Sequence, residues 1–192
     1  MRIVSFPSDN QEVIRQAASL LVVAFKEHWP NAWPDLDAAL EEVRESLQPD
    51  RINRIAMDDD GAVLGWVGAI CGYDGNAWEL HPLVVAPDHQ RKGIGRALVA
   101  DLEDQVRKRG GITIYLGTDD EDHMTTLSNV DLYPNVLEHI LNVRNLRGHP
   151  YTFYQKLGYV IVGVIPDANG LGKPDIIMAK RVAAQRSAQN RR

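Results

Sequence analysis

Apolar residues recur every three or four positions in three long segments of the chain, which predicts three amphipathic helices. The segments run from Gln11 to Glu27, from Leu36 to Leu47 and from Ile94 to Arg109. Two shorter helices are predicted from Pro134 to Val143 and from Tyr151 to Leu157. A glycine, the residue that commonly ends helices, directly follows the last of these segments.

Strands are predicted where short apolar runs are bounded by turn-forming residues. The acidic run Asp58 to Gly61 ends in Asp-Gly and predicts a hairpin turn, and Asp74 to Asn76 predicts a second one. A metal-binding loop is the alternative for the acidic run, but the hairpin accounts for the same residues. The predicted order is strand, two helices, three strands, helix, strand, a helical region with the two shorter helices, strand, strand. The predicted strands are residues 2–6, 53–57, 62–70, 77–85, 112–116, 160–165 and 175–180.

Composition limits the class of protein. The chain has 192 residues, 44% of them hydrophobic, which suits one domain with a sizeable core. Residues 1–181 are assigned to this domain and residues 182–192 to a flexible tail. A formal net charge of −5 argues against nucleic acid as the main partner and favours a cationic substrate.

Three further expectations follow from composition. No apolar run approaches the length of a membrane span, so no membrane association is expected. The single cysteine excludes an internal disulfide and favours the reducing cytoplasm. The six histidines show no spacing typical of metal ligands, so no metal site is expected.

A glycine turn between a predicted strand and a predicted helix is the most informative motif. The first N–H groups of a helix lack partners, and the helix dipole places positive charge behind them, so such a turn binds phosphate groups. Gly95, which has no side chain, is expected to let the phosphates approach the backbone closely. The predicted pyrophosphate cradle consists of Gln90, Arg91, Lys92, Gly93, Ile94, Gly95 and Arg96.

Two other phosphate-binding motifs do not match this turn. A P-loop requires Gly-x4-Gly-Lys-Ser/Thr, a run that the chain lacks. A dinucleotide-binding turn requires a third glycine at the position of Leu98, followed at the usual distance by a strand that ends in an acidic residue. Neither feature is present in the sequence.

The strand before the cradle carries two groups that exchange protons readily. Glu79 and His81 are two residues apart and therefore on one face of the strand. Glu79 lies in an otherwise apolar strand, which makes it the candidate general base, and a solvent-facing carboxylate is the alternative. His81 is either a catalytic residue of the same site or a structural histidine, and the sequence leaves both open.

Pro82 interrupts the same strand. A proline cannot donate a ladder hydrogen bond and is unusual inside a central strand. We therefore expect the strand to separate from a neighbour here. The separation would free the N–H of Leu83 for a ligand's carbonyl oxygen and let Val84 and Val85 pair with an extended ligand.

A polar stretch without periodicity runs from Gly117 to Leu132 and contains the acidic run Asp119 to Asp122. Loops of this length are usually functional or disordered. The acidic run directly follows a predicted buried strand, at the end where α/β sheets tend to bind ligands. Together with Glu79 it would form a negative pocket. A solvated loop is the alternative.

The motifs resemble those of the GCN5-related N-acetyltransferase superfamily. Gln90-x-x-Gly93-x-Gly95 is similar to its acyl-CoA pyrophosphate loop, and the segment 153–159 is similar to a second signature whose tyrosine protonates a departing thiolate. The order of predicted elements is also that of the superfamily. The resemblance implies an α/β (α+β mixed) fold, a single domain with a central, mixed, mostly antiparallel, twisted sheet flanked by helices.

Four longer strings, residues 78–85, 109–120, 149–151 and 173–176, are similar to the aminoglycoside 6'-N-acetyltransferases of the chromosomal enterococcal type. The likeness extends from about residue 10 to residue 181. It implies acetyl-CoA as co-substrate, the 6'-amine of aminoglycoside antibiotics as acceptor, and a homodimer. The segment after Trp29 and Pro30, from 31 to 36, departs from the pattern.

The resemblance also assigns roles to matching positions. It places the general base at Glu79, a second catalytic residue at His81 and a tyrosine that protonates the thiolate and contacts CoA at Tyr154. Acyl-CoA is expected on the cradle and on the backbone of Leu83, Val84 and Val85. The residues expected to bind the amine substrate are Trp29, Glu79, Asp119 and Asp120.

Two other functions are compatible with the same residues. The first is an acetyltransferase for another polyamine, small metabolite or protein amine, with incidental aminoglycoside activity. A panel of amines compared by specificity constant distinguishes it. The second is a non-catalytic acyl-CoA sensor, which the presence of both Glu79 and Tyr154 disfavours and which a thiol-release assay tests.

Overall fold

The structure, a computed structural model, describes residues 1–184 as a sheet of seven strands with five helices. The strands are β1 (Arg2–Ser5), β2 (Arg51–Met57), β3 (Val63–Gly72), β4 (Ala77–Val85), β5 (Thr113–Asp119), β6 (Val160–Ile165) and β7 (Asp175–Arg181). The helices are α1 (Gln11–Phe25), α2 (Leu36–Ser46), α3 (Ile94–Lys108), α4 (Val136–Leu141) and α5 (Tyr151–Lys156).

The strands form one sheet in the order β1-β2-β3-β4-β5-β7-β6. Neighbours run antiparallel except for β4 and β5, which are parallel because α3 connects them. The predicted single-domain fold with a mixed, mostly antiparallel sheet and flanking helices is confirmed.

The helices cover the two faces of the sheet with separate apolar cores. On one face, α1 buries Ala17 and Leu21 against Ile55 and Trp66. On the other face, α3 buries its four-residue repeat against Trp78 and other side chains of the central strands. The repeat consists of Ile94, Leu98, Leu102 and Val106. The periodicity of α1 and α3 therefore predicted their buried faces correctly.

Most predicted elements agree with the observed ones to within two residues at each end, and two differ by more or in type. Strand β5 extends to Asp119, three residues beyond the predicted end, because Thr118 and Asp119 still pair with β7. The predicted helix at 134–143 begins as a 3₁₀ turn at Tyr133–Asn135 and continues as α4. The end of β5 was not predictable from an apolar pattern, because its last residues are polar or glycine.

The chain stays attached to the sheet past the predicted domain limit at residue 181. Val182 is buried, and its N–H donates to the carbonyl oxygen of Ile112 at 2.8 Å. The rest of the predicted tail, from residue 185 onwards, lies outside the described residues. Between residues 1 and 184, no helix has the length and apolar character needed to cross a bilayer.

Candidate active site

The site is built around the point where β4 separates from β5. The two strands pair only from Ala77 to Glu79 of β4, whereas the other edge of β5 pairs with β7 along its whole length. The predicted separation is therefore present, and it begins three residues before Pro82. Beyond Glu79, one edge of β4 faces an open gap in the sheet.

A β-bulge distorts β4 at the same place. On the other side of β4, Leu80 pairs with Ala69 and Leu83 pairs with Val67, so His81 and Pro82 together oppose Gly68. A Cβ atom on Gly68 would collide with the carbonyl oxygen of His81. The bulge thus requires a glycine on the neighbouring strand.

The bulge determines which backbone groups of β4 face the gap. Ala86 donates its N–H to Leu64 of the β3 side at 2.9 Å. Because alternate residues of a strand point their polar groups to the same neighbour, Val84 also faces β3, whereas Leu83 and Val85 face the gap. The carbonyl oxygen of Val85 accepts a hydrogen bond of 3.4 Å from the Gln90 side chain.

This alternation supports one sequence prediction and corrects another. The N–H of Leu83 faces the gap, as expected from Pro82. Val84 cannot pair with a ligand through its backbone, because β3 uses its polar groups. An extended ligand would therefore meet Leu83 and Val85 rather than Val84 and Val85.

A cleft of about 550 Å³ opens at the gap, a size typical of small-molecule sites. One wall is aromatic and comes from the end of α1 and the connection to α2. The opposite wall is polar and comes from the end of β5 and nearby loops. The lining includes Phe25, Trp29, Trp33, His81, Leu83, Val84, Val85, Gln90, Thr118, Asp119, Glu121, Tyr154 and Asn169.

The predicted phosphate cradle lies beside this cleft. Gly93 begins α3 with a φ of 89°, and no side chain caps the helix. Among residues 1–184, the N–H groups of Ile94, Gly95 and Arg96 have no hydrogen-bond acceptor. Three basic side chains of the turn, those of Arg91, Lys92 and Arg96, are exposed. The turn therefore has the free donors and the positive charge of an anion site.

The glycine at position 95 has a packing role that the sequence did not reveal. A Cβ atom there would lie 3.3 Å from the ring of Phe153 in α5 and 3.6 Å from the side chain of Val85. Gly95 therefore allows close packing of α3 against α5 and β4, in addition to the predicted approach of the phosphates. Gly93 is the position that the turn requires, because its left-handed backbone strains other residues.

Glu79 lies at the end of the paired part of β4. The hydroxyl of Tyr115 on β5 donates to its carboxylate at 3.3 Å. Burial, followed by the charge of Glu79, raises the pKa of Tyr115, so the hydroxyl keeps its proton. Glu79 is not among the residues that line the cleft. Its carboxylate is close enough to Asp175 to raise the pKa of that residue.

The carboxylate of Asp175 was not predicted from the sequence. Asp175 pairs across β5 and β7 with Asp119, and Gly117 leaves the space that its carboxylate occupies. Its Oδ1 atom is buried and has no hydrogen-bond partner among the described residues. Burial, followed by the charges of Asp119 and Glu79, raises the pKa of Asp175 to about 6. Strand pairing, which the sequence does not reveal, creates this group of three carboxylates.

The raised pKa of Asp175 predicts a pH-dependent cost in stability. The folded state binds this proton more tightly than the unfolded state, whose ordinary pKa is 3.8. The contribution of Asp175 to the free energy of unfolding therefore falls as the pH rises from about 4 to about 6, and it stays reduced above that range. We expect Asp175→Asn to stabilise the protein at about pH 7.5, by denaturant titration, and to lose this advantage near pH 4. The exposed Asp60→Asn serves as control, and an equal difference at both pH values would contradict the prediction.

The two neighbouring aspartates at the end of β5 have different surroundings. Asp119 lines the cleft and accepts a hydrogen bond from the side-chain amide of Asn169. Asp120 is 0% exposed, and its two oxygens accept from the N–H groups of Met124 at 2.6 Å and Thr125 at 2.8 Å. Asp120 therefore organises the following loop, and it is not among the residues that line the cleft, in contrast to the predicted substrate contact.

His81 lines the cleft and is held by helix α2. Its Nε2 atom lies 3.5 Å from a carboxylate oxygen of Glu42, and its ring centre lies 6.1 Å from that of Trp33. The hydrogen bond to His81 is the main cause that lowers the pKa of Glu42. Nothing in the sequence singles out Glu42, because an acidic residue on an amphipathic helix ordinarily faces solvent.

Tyr154 lines the cleft from helix α5. It packs against Phe153 and Tyr159, with ring centres 5.1 Å and 5.8 Å away. Burial raises the pKa of its hydroxyl above the ordinary value of a tyrosine. The hydroxyl therefore keeps its proton at neutral pH and can act as a hydrogen-bond donor. Within residues 1–184, no cluster of three or more His, Cys, Asp or Glu side chains is arranged to hold a metal ion.

Three solved structures resemble the whole chain. An aminoglycoside 6'-N-acetyltransferase complexed with coenzyme A is 46% identical, with a TM-score of 0.89 over 97% of this chain and 100% of that one. The enzyme of this name from Enterococcus faecium is also 46% identical, with a TM-score of 0.87 and the same coverage. Aminoglycoside 6'-acetyltransferase type Ii is 41% identical, with a TM-score of 0.74 and the same coverage.

Comparison with curated protein sequences gives no match. The model of the acetyltransferase (GNAT) family matches residues 16–127, more than half of the chain. This match agrees with the separated central strands, the glycine turn that opens α3, and the order of the elements. The chain therefore belongs to the GNAT family of acetyltransferases.

Proposed function

We propose that the protein transfers the acetyl group of acetyl-CoA to the 6'-amine of aminoglycoside antibiotics. The observation that carries the proposal is one cleft that joins free backbone donors on β4 to an acidic and aromatic wall. Relatives at 41–46% identity over the whole chain are aminoglycoside 6'-N-acetyltransferases, and one was solved with coenzyme A. The acetyl donor and the amine acceptor thus each have a matching part of the cleft.

Acetyl-CoA fits the side of the cleft formed by β4 and α3. The N–H groups at the start of α3 would hold the pyrophosphate, assisted by the exposed side chains of Arg91, Lys92 and Arg96. The chain between phosphate and thioester would pair with Val85 in the gap. The N–H of Leu83 would then point at the thioester carbonyl oxygen and stabilise the negative charge that forms on it.

The amine must lose a proton before it can attack. Glu79 would take this proton, directly or through water, and the free amine would attack the thioester carbon. The C–N bond forms, the C–S bond breaks, and the second proton of the amine is released. His81, held in the cleft by Glu42, is proposed to line the amine site beside the base.

Tyr154 would assist the leaving sulfur. An ordinary tyrosine hydroxyl has a pKa of about 10 and a thiol one of about 8.5, and burial raises the pKa of Tyr154 further. Complete proton transfer from Tyr154 to a thiolate is therefore uphill. Its contribution is better described as a hydrogen bond that stabilises the thiolate as the C–S bond breaks.

The opposite wall suits a polycationic sugar. Trp29 and Trp33 present aromatic rings on which sugar rings and ammonium groups pack favourably. Asp119 supplies a carboxylate for an ammonium group. The segment after Trp29, where the sequence departs from the resembled pattern, contributes Asn31 to Trp33 to this wall. We therefore expect the range of accepted drugs to depend on these residues.

A panel of acceptors tests the proposed function. Aminoglycosides with a 6'-amine, analogues with a 6'-hydroxyl, a linear polyamine and a peptide with a free N-terminus would be compared by kcat/KM in a thiol-release assay. We expect turnover with the 6'-amines and acetylation at that nitrogen by NMR. A higher specificity constant for the polyamine or the peptide would favour the alternative acetyltransferase. CoA binding without thiol release from any acceptor would indicate a sensor.

The two aspartates at the end of β5 provide a matched test of the amine site. Asp119→Asn is expected to raise the KM of an aminoglycoside roughly tenfold, since it removes a charged hydrogen-bond acceptor, and to reduce the salt dependence of that KM.

Asp120→Asn is expected to lower the free energy of unfolding by about 1–3 kcal/mol, because a side-chain amide would face two N–H donors. Equal effects of both variants on KM would exclude a substrate role for Asp119.

We further propose that the protein is a cytoplasmic homodimer. Helix α4 packs beside β6, and both expose apolar side chains. We expect a second copy of the chain to cover these apolar side chains, because monomeric proteins rarely expose a large contiguous apolar patch. Sedimentation velocity is expected to show a dimer, and Val162→Glu to weaken it, whereas a monomeric wild type would refute the proposal. The exposed residues are Tyr133, Leu137, Leu141, Val160, Val162 and Ile165.

A further inference from the structure

A completely buried histidine contacts two elements that line the cleft. His149 is 0% exposed and lies two residues before the start of helix α5. The side-chain amide of Asn145 holds its backbone on both sides. The carbonyl of Asn145 accepts from the N–H of His149, and the NH₂ group of Asn145 donates to the carbonyl oxygen of His149, each at 2.8 Å. The imidazole therefore projects from a fixed backbone position.

Both ring nitrogens of His149 have backbone partners. Nδ1 lies 3.2 Å from the backbone nitrogen of Tyr151, and Nε2 lies 3.0 Å from the carbonyl oxygen of Asp119. An N–H group can only donate and a carbonyl can only accept. Nδ1 must therefore be free of a proton and Nε2 must carry one. The neutral Nε2–H tautomer satisfies both contacts.

The two contacts connect two elements that line the cleft. Asp119 ends β5 and contributes to the polar wall, whereas Tyr151 begins the helix that carries Tyr154. The N–H of Tyr151 is one of the donors that the start of a helix leaves unsatisfied, and the imidazole satisfies it. The ring thus sets the spacing between the end of β5 and the start of α5.

We propose that His149 is a positioning residue that holds the amine-binding Asp119 and the CoA-contacting Tyr154 in register across the cleft. The proposal rests on the proposed function. A loss of the Nε2 contact should displace Asp119 and affect the amine, whereas a loss of the Nδ1 contact should displace Tyr154 and affect the departure of the thiolate. A purely structural histidine would not separate these effects.

Two substitutions, each of which keeps a polar atom near the position of one ring nitrogen, separate the contacts. In His149→Asn the side-chain oxygen takes the place of Nδ1 and the donor to Asp119 is lost. In His149→Gln the NH₂ group takes the place of Nε2 and the acceptor for Tyr151 is lost. We expect His149→Asn to raise the KM of the best amine about threefold to tenfold with little change in kcat, and His149→Gln to lower kcat by a similar factor with little change in that KM. Identical changes in both variants, or no change in either, would overturn the proposal.

NMR on the wild-type protein provides a readout that does not depend on activity or on the folding of variants. Burial lowers the pKa of His149 against the opposing influence of the Asp119 carbonyl and of the Asp119 and Asp120 carboxylates. The ring of Tyr151 packs on the imidazole at 5.6 Å. Long-range ¹H–¹⁵N spectra are expected to show a neutral Nε2–H tautomer whose pKa lies below that of an exposed histidine. A ring that titrates normally, or that carries its proton on Nδ1, would overturn the proposal even if no aminoglycoside were a substrate.

Discussion

Glu79→Gln is expected to lower kcat for an aminoglycoside by about 10²–10⁴-fold, the usual contribution of a general base, with CoA affinity unchanged. The amide keeps the shape of the side chain but cannot accept the proton of the substrate ammonium. Turnover of the variant should then depend on the fraction of amine that is already free. Its rate should therefore rise with pH more steeply than that of the wild type.

The measurement is a pH profile of kcat and kcat/KM, with CoA affinity determined by calorimetry. Glu138→Gln, on the exposed surface of α4, controls for the loss of one negative charge. Tyr115→Phe removes the hydrogen bond to Glu79 but keeps the base, so a smaller loss is expected. Wild-type turnover of Glu79→Gln between about pH 6 and pH 8 would exclude Glu79 as the base.

Gly68→Ala is expected to lower both stability and kcat, although Gly68 does not line the cleft. Its new Cβ would collide with a backbone oxygen of the bulge, which cannot rotate away as a side chain can. Overpacking of this kind costs about 1–3 kcal/mol in free energy of unfolding. Relief of the collision would move His81 and, with it, the N–H of Leu83 that is proposed to bind the thioester oxygen.

Denaturant titration and steady-state kinetics measure the two effects of Gly68→Ala. Gly163→Ala is the matched control, because Gly163 also lies in a strand and a Cβ there meets no atom within 4 Å. The control should leave stability and kcat close to those of the wild type. A Gly68→Ala protein with full activity would show that the shape of the bulge is not needed for catalysis.

The site contains a group of carboxylates that destabilises the folded protein, and substrate binding explains its presence. Three carboxylates lie together where β4, β5 and β7 meet, and one buried oxygen of Asp175 lacks a partner among the described residues. Mutual repulsion and burial make this arrangement costly for the folded state. The same negative charge would attract the amine substrate. Functional sites commonly contain groups that serve binding but lower the stability of the folded protein.

Local signals along the chain predicted most elements of the fold. The four-residue repeat of α3 and the Asp-Gly turn between β2 and β3 act between near neighbours, so the sequence reveals them directly. The glycine turn at 93–95 was predictable for the same reason, because the free N–H groups of a helix start belong to one short segment. Pro82 likewise marked the separation of β4 from β5.

The differences from the sequence predictions at the site concern residues whose surroundings come from distant parts of the chain. Asp120 was expected to bind substrate, but the loop that follows it folds back to occupy both carboxylate oxygens. Val84 was expected to pair with the ligand, but the bulge opposite Gly68 determines which residues face the gap. Gly95 was attributed to phosphate approach alone, but Phe153 of α5 also packs closely beside it.

The sequence by itself therefore determined the elements, their order, the anion-binding turn and the candidate base Glu79, because each depends on spacing within one segment. The tertiary structure alone decided which carboxylates meet, since the register of β5 with β7 brings Asp175 beside Asp119. It also decided that His149 connects β5 with α5, because Asp119 lies 30 residues from His149 along the chain and only folding brings the two together. Contacts between distant segments follow from sheet pairing and packing, which no local pattern encodes.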